Sequence, residues 1–218
     1  MNEKHISFFS HDKKTATTLL FAFLVSIAIT ALPYLTIKFT TLEASLYMML
    51  IVEFITALGF YFLLLRHYPQ YKIKTETKSG FVTKSLLLFF LLLLMHIFVF
   101  MYKKDIYHYK ASKPEFMYVI ALVIFVPFFE EIFYRGCFFG FISSVCKYKI
   151  LPPALITSVL FCMMHTQYYS LPDQLVLFSL SLSLIYLRVE TKSLSYPMLL
   201  HSGMNAFVIF LNAQELYR

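Results

Sequence analysis

Seven apolar stretches, at 15–37, 45–65, 83–102, 116–137, 151–166, 174–188 and 193–212, occupy most of the sequence and leave little choice of fold. A helix rising ~1.5 Å per residue needs ~20 such residues to cross ~30 Å of hydrocarbon. Five of the seven stretches reach that length, while 151–166 and 174–188 fall short. Strands are excluded, because in lipid an isolated strand leaves its backbone groups unpaired. The expected fold is therefore all-α, a polytopic transmembrane bundle of about seven spans around a polar cavity. Composition agrees, with 59% hydrophobic and only 14% charged residues, against ~25% charged in soluble domains. The stretch after Lys13 and Lys14 lacks a small-residue cleavage site and reads as a retained helix rather than a signal peptide.

The formal net charge of +7 does not point to nucleic acid, because the Lys and Arg residues gather in short segments between the apolar stretches. With the N-terminus inside, twelve of them fall on inner segments and six on outer ones. That asymmetry predicts an integral membrane protein with its N-terminus inside, and the compact size and short loops suggest a prokaryotic cytoplasmic membrane. Arg188 is counted among the inner loop charges. The basic segment 103–115 is a misfit on the outer side, and it reads as an interfacial turn with Tyr102, Tyr107 and Tyr109 at headgroup level. Cys137, Cys146 and Cys162 have no pairing pattern and read as small core residues.

Charged groups cost ~2.5–3.5 kcal/mol each at the centre of a membrane helix, so ionisable residues there are candidates for function. Three segments hold them. The first runs from Pro127 to Gly136 and contains Glu130, Glu131 and Arg135. Glu131 and Arg135 are four apart and share a helix face, whereas Glu130 is turned about 100° away toward another part of the bundle. The second ends in His165, and the third contains His201 and Asn205, again four apart. A single buried histidine is more often a hydrogen-bonded core group than a catalyst. A carboxylate, two imidazoles and an amide in one wet cavity nevertheless form a hydrolytic set, able to activate water and to stabilise an oxyanion. Pro127 and Pro197 are expected to free the Val123 and Ser193 carbonyls and to bend their helices beside the polar groups. Gly136 and Gly140 form a small-residue pair suited to close helix approach. Glu53 and His96 read as bundle-facing hydrogen-bonding groups, and His5, His11, His67 and His108 as solvated.

Glu-Glu-x-x-x-Arg at 130–135, Phe-x-x-x-His at 161–165 and His-x-x-x-Asn at 201–205, in this order on successive membrane helices, resemble the CPBP family of intramembrane proteases. That family includes CAAX prenyl endopeptidases of the Rce1 type and bacterial relatives linked to bacteriocin processing and self-immunity. The resemblance runs from Glu115 to Leu211. It implies a catalytic core over 115–218, preceded by three spans and their connections over 1–114. It also implies an endopeptidase acting on a membrane-associated or lipidated peptide or protein. By the resemblance Glu130 activates water, His165 orients it, His201 and Asn205 hold the oxyanion, and Glu131 and Arg135 support the site. No cofactor is certain. Glu130, His165 and His201 would serve as the ligands if a Zn2+ took part. Two other readings stay open, namely a non-catalytic scaffold or immunity protein of the same fold and a small proton-coupled transporter.

Overall fold

A computed structural model describes residues 11–73, 79–104, 115–146, 149–168 and 170–214. Among these residues the secondary structure is helical throughout. Helix α1 runs over Lys13–Thr36, interrupted at Ala31 before Pro33. It is followed by α2 (Leu42–Leu63), α3 (Ser79–Lys104), α4 (Phe116–Val145), α5 (Leu151–Met164), α6 (Leu171–Thr191) and α7 (Ser195–Gln214). The segments carrying α1, α2, α3, α4 and α6 are long and apolar enough to cross a membrane. The chain is an integral membrane protein built as an α-helical bundle.

The helix starts are written in the sequence. Asp12 caps α1 by accepting from the Lys14 and Thr15 amides, Thr41 caps α2 through the Ala44 amide, and Ser170 caps α6 through the Asp173 amide. Prolines open α5 and α6, where a missing N–H costs nothing. Pro197 belongs with them. Helix α7 begins at Ser195, so this proline lies in its first turn, and the bend expected beside His201 has no basis. Helix α4 runs eight residues past its expected end, and α6 reaches 21 residues rather than the short span expected.

Loops gather at two ends of the bundle. At the N-terminal end the Leu194 amide and the Ser193 hydroxyl both donate to the Lys72 carbonyl, at 3.1 and 2.9 Å. At the opposite end Lys103 of α3 meets Asp173 of α6 at 2.7 Å. Back at the N-terminal end, Lys84 meets Glu190 at 2.6 Å, so two ion pairs bracket the antiparallel pair α3–α6. Nineteen residues separate Lys84 from Lys103, which is ~28 Å of helix and close to the hydrocarbon thickness. Tyr107 and Tyr109 of the expected interfacial turn lie outside the described residues, as do His5 and His108.

Helix α4 is the hub. Its Phe129, Ile132, Phe133, Cys137 and Phe138 pack with Leu19 and Phe23 of α1, Ala57 of α2 and Phe161 of α5. Leu92 of α3, Leu180 and Leu184 of α6, and Leu200 and Met204 of α7 form a second cluster. Because lipid is as apolar as these side chains, close packing rather than water exclusion holds the helices together.

Two sequence expectations change at the N-terminal end. The connection after α2 makes two short turns, Leu65–His67 and Pro69–Tyr71, and folds back under α4 with Tyr71 buried. The Tyr71 hydroxyl donates to Nε2 of His11 at 2.6 Å while the two rings stack. Burial lowers the pKa of His11, against the opposing pull of Asp12, and so favours the neutral ring that accepts this bond. His11 is thus packed rather than solvated. Arg188 is not a loop charge either, since it lies inside α6, fully buried, with its guanidinium 5.3 Å above the Tyr71 ring.

The same tyrosine gives Gly140 its purpose. A Cβ there would stand 2.5 Å from the Tyr71 hydroxyl oxygen and 3.1 Å from Leu19 Cδ1, whereas one at Gly136 would meet nothing closer than 3.6 Å. Gly140→Ala is expected to cost ~1–3 kcal/mol through overpacking, read as a lower unfolding temperature in detergent. Gly136→Ala is expected to leave that temperature unchanged.

Candidate active site

Helix α4 departs from α geometry in two places, both beside the polar groups. Over Ala121–Phe125 it widens to a π-helix, in which the Val126 amide reaches back to the Ala121 carbonyl. In this register the partner of the Leu122 carbonyl would be the amide of Pro127, which has no hydrogen. The Leu122 carbonyl is instead taken by Nδ2 of Asn205, at 2.8 Å. The sequence led us to expect a freed carbonyl at Val123. The π register moves it one residue, to a place where the amide of α7 can reach it. A second widened stretch, Glu131–Phe138, begins one residue after Glu130.

Glu131 and Arg135 form the ion pair that their spacing predicts, at 3.2 Å, and both are fully buried. Arg135 also donates to Ser181 of α6 at 3.0 Å and lies 4.3 Å above the Phe161 ring. The same Glu131 oxygen receives Nδ1 of His201 at 2.9 Å. A carboxylate held by a guanidinium can only accept, so Nδ1 of His201 donates.

His165 lies just past the last turn of α5, with φ −100 and ψ 57. Its amide turns back to the Cys162 carbonyl, and its Nδ1 donates to the Phe161 carbonyl at 2.7 Å. The side chain thereby fills a bond that the ending helix leaves open, and this fixes the ring. Both imidazoles now have Nδ1 committed, and both turn Nε2 toward Glu130. The separations are 3.8 Å from His165 to Oε1 and 3.7 Å from His201 to Oε2. Glu130 therefore does not face away from its neighbour's partners as expected. The two glutamates meet opposite edges of one ring, that of His201.

These groups open onto a cavity of about 570 Å³ that Glu130, His165, His201 and Asn205 line together. Every residue proposed for chemistry from the sequence thus reaches one hollow, with Glu131 and Arg135 packed behind it. Glu53 of α2 lines the cavity too while making the bundle-facing hydrogen bond expected of it, from the Ser26 hydroxyl, and Tyr134 lines it as well, which the sequence did not announce. An acid in the middle of an apolar span was the available signal for Glu53. His96 stands apart, edge-on to Phe207.

Among the described residues no three His, Cys, Asp or Glu side chains are arranged to hold a metal ion. The Glu130–imidazole separations of 3.7 and 3.8 Å exceed the ~3.4 Å expected between two ligands of one tetrahedral zinc. The three donors therefore do not fit a zinc ion as they stand, and no step below passes through a metal.

A family model described as type II CAAX prenyl endopeptidase Rce1-like matches residues 112–207. No curated protein and no solved structure gives a significant match. That segment, a little under half of the chain, contains Glu130, His165, His201 and Asn205, and over it the chain is similar to the Rce1-like CAAX prenyl endopeptidases, a family of proteases.

Proposed function

We propose that the chain is an intramembrane endopeptidase in which Glu130 activates water against a peptide bond of a membrane-associated substrate. The observation that carries this reading is the approach of two imidazole Nε2 atoms to the Glu130 carboxylate, each ring anchored through its other nitrogen. A separation of 3.7–3.8 Å is too long for a direct hydrogen bond, yet a water beside the three atoms would reach all of them. Such a water gives one hydrogen to Glu130 and the other to the lone pair of His165, which leaves its own lone pair aimed at the carbonyl.

As the oxygen–carbon bond forms, Glu130 takes the water proton and the carbonyl oxygen becomes an oxyanion. Asn205 spends one amide hydrogen on the Leu122 carbonyl and has a second to offer the oxyanion. His201, when protonated on both nitrogens, adds an Nε2–H, with Glu131 behind it at Nδ1. The proton held by Glu130 then passes to the leaving amine as the carbon–nitrogen bond breaks. Both products are closed-shell, and the carboxylate is restored.

The substrate class implied is a peptide or protein within or at the membrane. The test is a comparison of membrane peptides from cells carrying the wild-type protein or Glu130→Gln. The substrate is expected to accumulate uncut in the variant and to appear as two fragments in the wild type. Identical peptide populations, with both proteins inserted at equal levels, would sink the reading.

A further inference from the structure

One acid in the cavity takes no part in the chemistry above. Glu53, in the middle of α2, is 1% exposed. Its Oε1 accepts from the hydroxyl of Ser26 on α1 at 3.1 Å, and its Oε2 has no hydrogen-bond partner. The side chain lines the same hollow as Glu130, His165 and His201, on a wall otherwise made apolar by Leu46, Met49 and Leu50. Among the described residues no Lys or Arg forms an ion pair with it, and Arg135, the cation at the catalytic centre, is engaged by Glu131 and Ser181. Helix α2 also lies outside the segment that matches the family. An acid so placed weakens the bundle it sits in, and Ser26 answers only one of its two oxygens.

We infer that Glu53 forms a subsite for a positively charged nitrogen of the substrate, carried by a Lys or Arg side chain or by a free amino terminus near the scissile bond. The inference rests on the proteolytic reading above. A cationic nitrogen supplies both things the wall lacks, a counter-charge and a donor for Oε2. A peptide laid across the cavity with its carbonyl at Glu130 passes within reach of Glu53 on the α2 wall of the same hollow. Recognition there sets which sequence is cut, while the chemistry stays with α4, α5 and α7.

Binding to the Glu130→Gln protein in detergent, which holds peptides without cleaving them, tests this directly. The probes are membrane-soluble peptides carrying lysine, acetyl-lysine, norleucine or glutamate at each position in turn, with free or acetylated amino termini. At one position lysine is expected to bind at least ~10-fold tighter than acetyl-lysine or norleucine, as a desolvated charge pair allows. If the amino terminus is the true cation, the loss instead follows its acetylation. Adding Glu53→Gln, which keeps an oxygen for Ser26, is expected to bring lysine and norleucine peptides within ~2-fold, and Glu53→Lys to shift preference toward the glutamate peptide.

Equal binding of charged and uncharged probes would overturn the inference, as would a preference that survives Glu53→Gln. Should the Glu53 variants fail to fold, the acetyl-lysine comparison on the Glu130→Gln protein decides alone. Selective binding with no cleavage of any probe by wild type sinks the proteolytic reading and leaves the subsite. Cleavage without charge preference does the reverse.

Discussion

Replacing Glu130 by Gln is expected to lower cleavage by ~10²–10⁴-fold, the range associated with loss of a general base, and to leave the unfolding temperature unchanged. The side chain keeps its shape, so the approach of His165 and His201 survives. What disappears is the only group in the proposed sequence that both takes the proton of water and returns it to the leaving amine. No buried interaction depends on its charge, since Glu130 Oε2 has no hydrogen-bond partner and both imidazole contacts are beyond hydrogen-bonding range. The measurement is the rate on a cleavable membrane peptide together with a melting curve in the same detergent. A variant that cleaves within ~3-fold of wild type would remove Glu130 from the mechanism.

The second large effect is on stability. Arg135→Ala is expected to destabilise the bundle by ~3–5 kcal/mol, because it strands the fully buried Glu131 carboxylate without its counter-charge. Removing the guanidinium also empties the space above Phe161 and leaves Ser181 without its donor. The double variant Glu131→Gln with Arg135→Met is expected to recover most of that loss, since no charge is left unpaired. It is not expected to recover activity, because His201 then has no carboxylate at Nδ1. Equilibrium unfolding in mixed micelles reads the stability, and the peptide assay reads the activity. A single variant as stable as wild type would show that the pair does not hold α4 in place.

Glu130, Glu131, His165 and His201 stood out in the sequence because an ionisable group in an apolar span is conspicuous, and helical spacing added Asn205 to His201 and paired 131 with 135. The seven helices were legible for a related reason, since lipid permits only one backbone solution for such stretches. What escaped were features set by backbone register and by distant contacts. Nothing local to residues 121–125 announces a π-helix, and its meaning emerges only when Asn205 arrives from α7 to take the Leu122 carbonyl. The place of His165 beyond the end of α5 shifts the residue out of the helix on which its spacing was judged. Arg188, His11 and Gly140 were misjudged or only half understood, because the tyrosine that connects them arrives on a loop. Charge asymmetry treats every Lys and Arg as solvated, and Arg188 shows how that fails when a ring is available to cover a guanidinium.

Helix α5 begins near the end of the bundle that holds the N-terminus and stops after 14 residues, or ~21 Å, while hydrocarbon is ~30 Å deep. The non-helical run that follows, His165, Thr166, Gln167 and Tyr168, turns back on itself through the Tyr168 amide and the His165 carbonyl, and all four residues line the cavity, where irregular backbone is tolerated inside a membrane. If α5 starts at one hydrocarbon boundary, it ends ~9 Å short of the other, which would put His165 nearer the far leaflet than the midplane. On the proteolytic reading proposed above, a spanning substrate would need to unwind only its last two turns to reach it. Scission at that depth would yield unequal halves, a long fragment that keeps its grip on the bilayer and a short stub that escapes to the aqueous side.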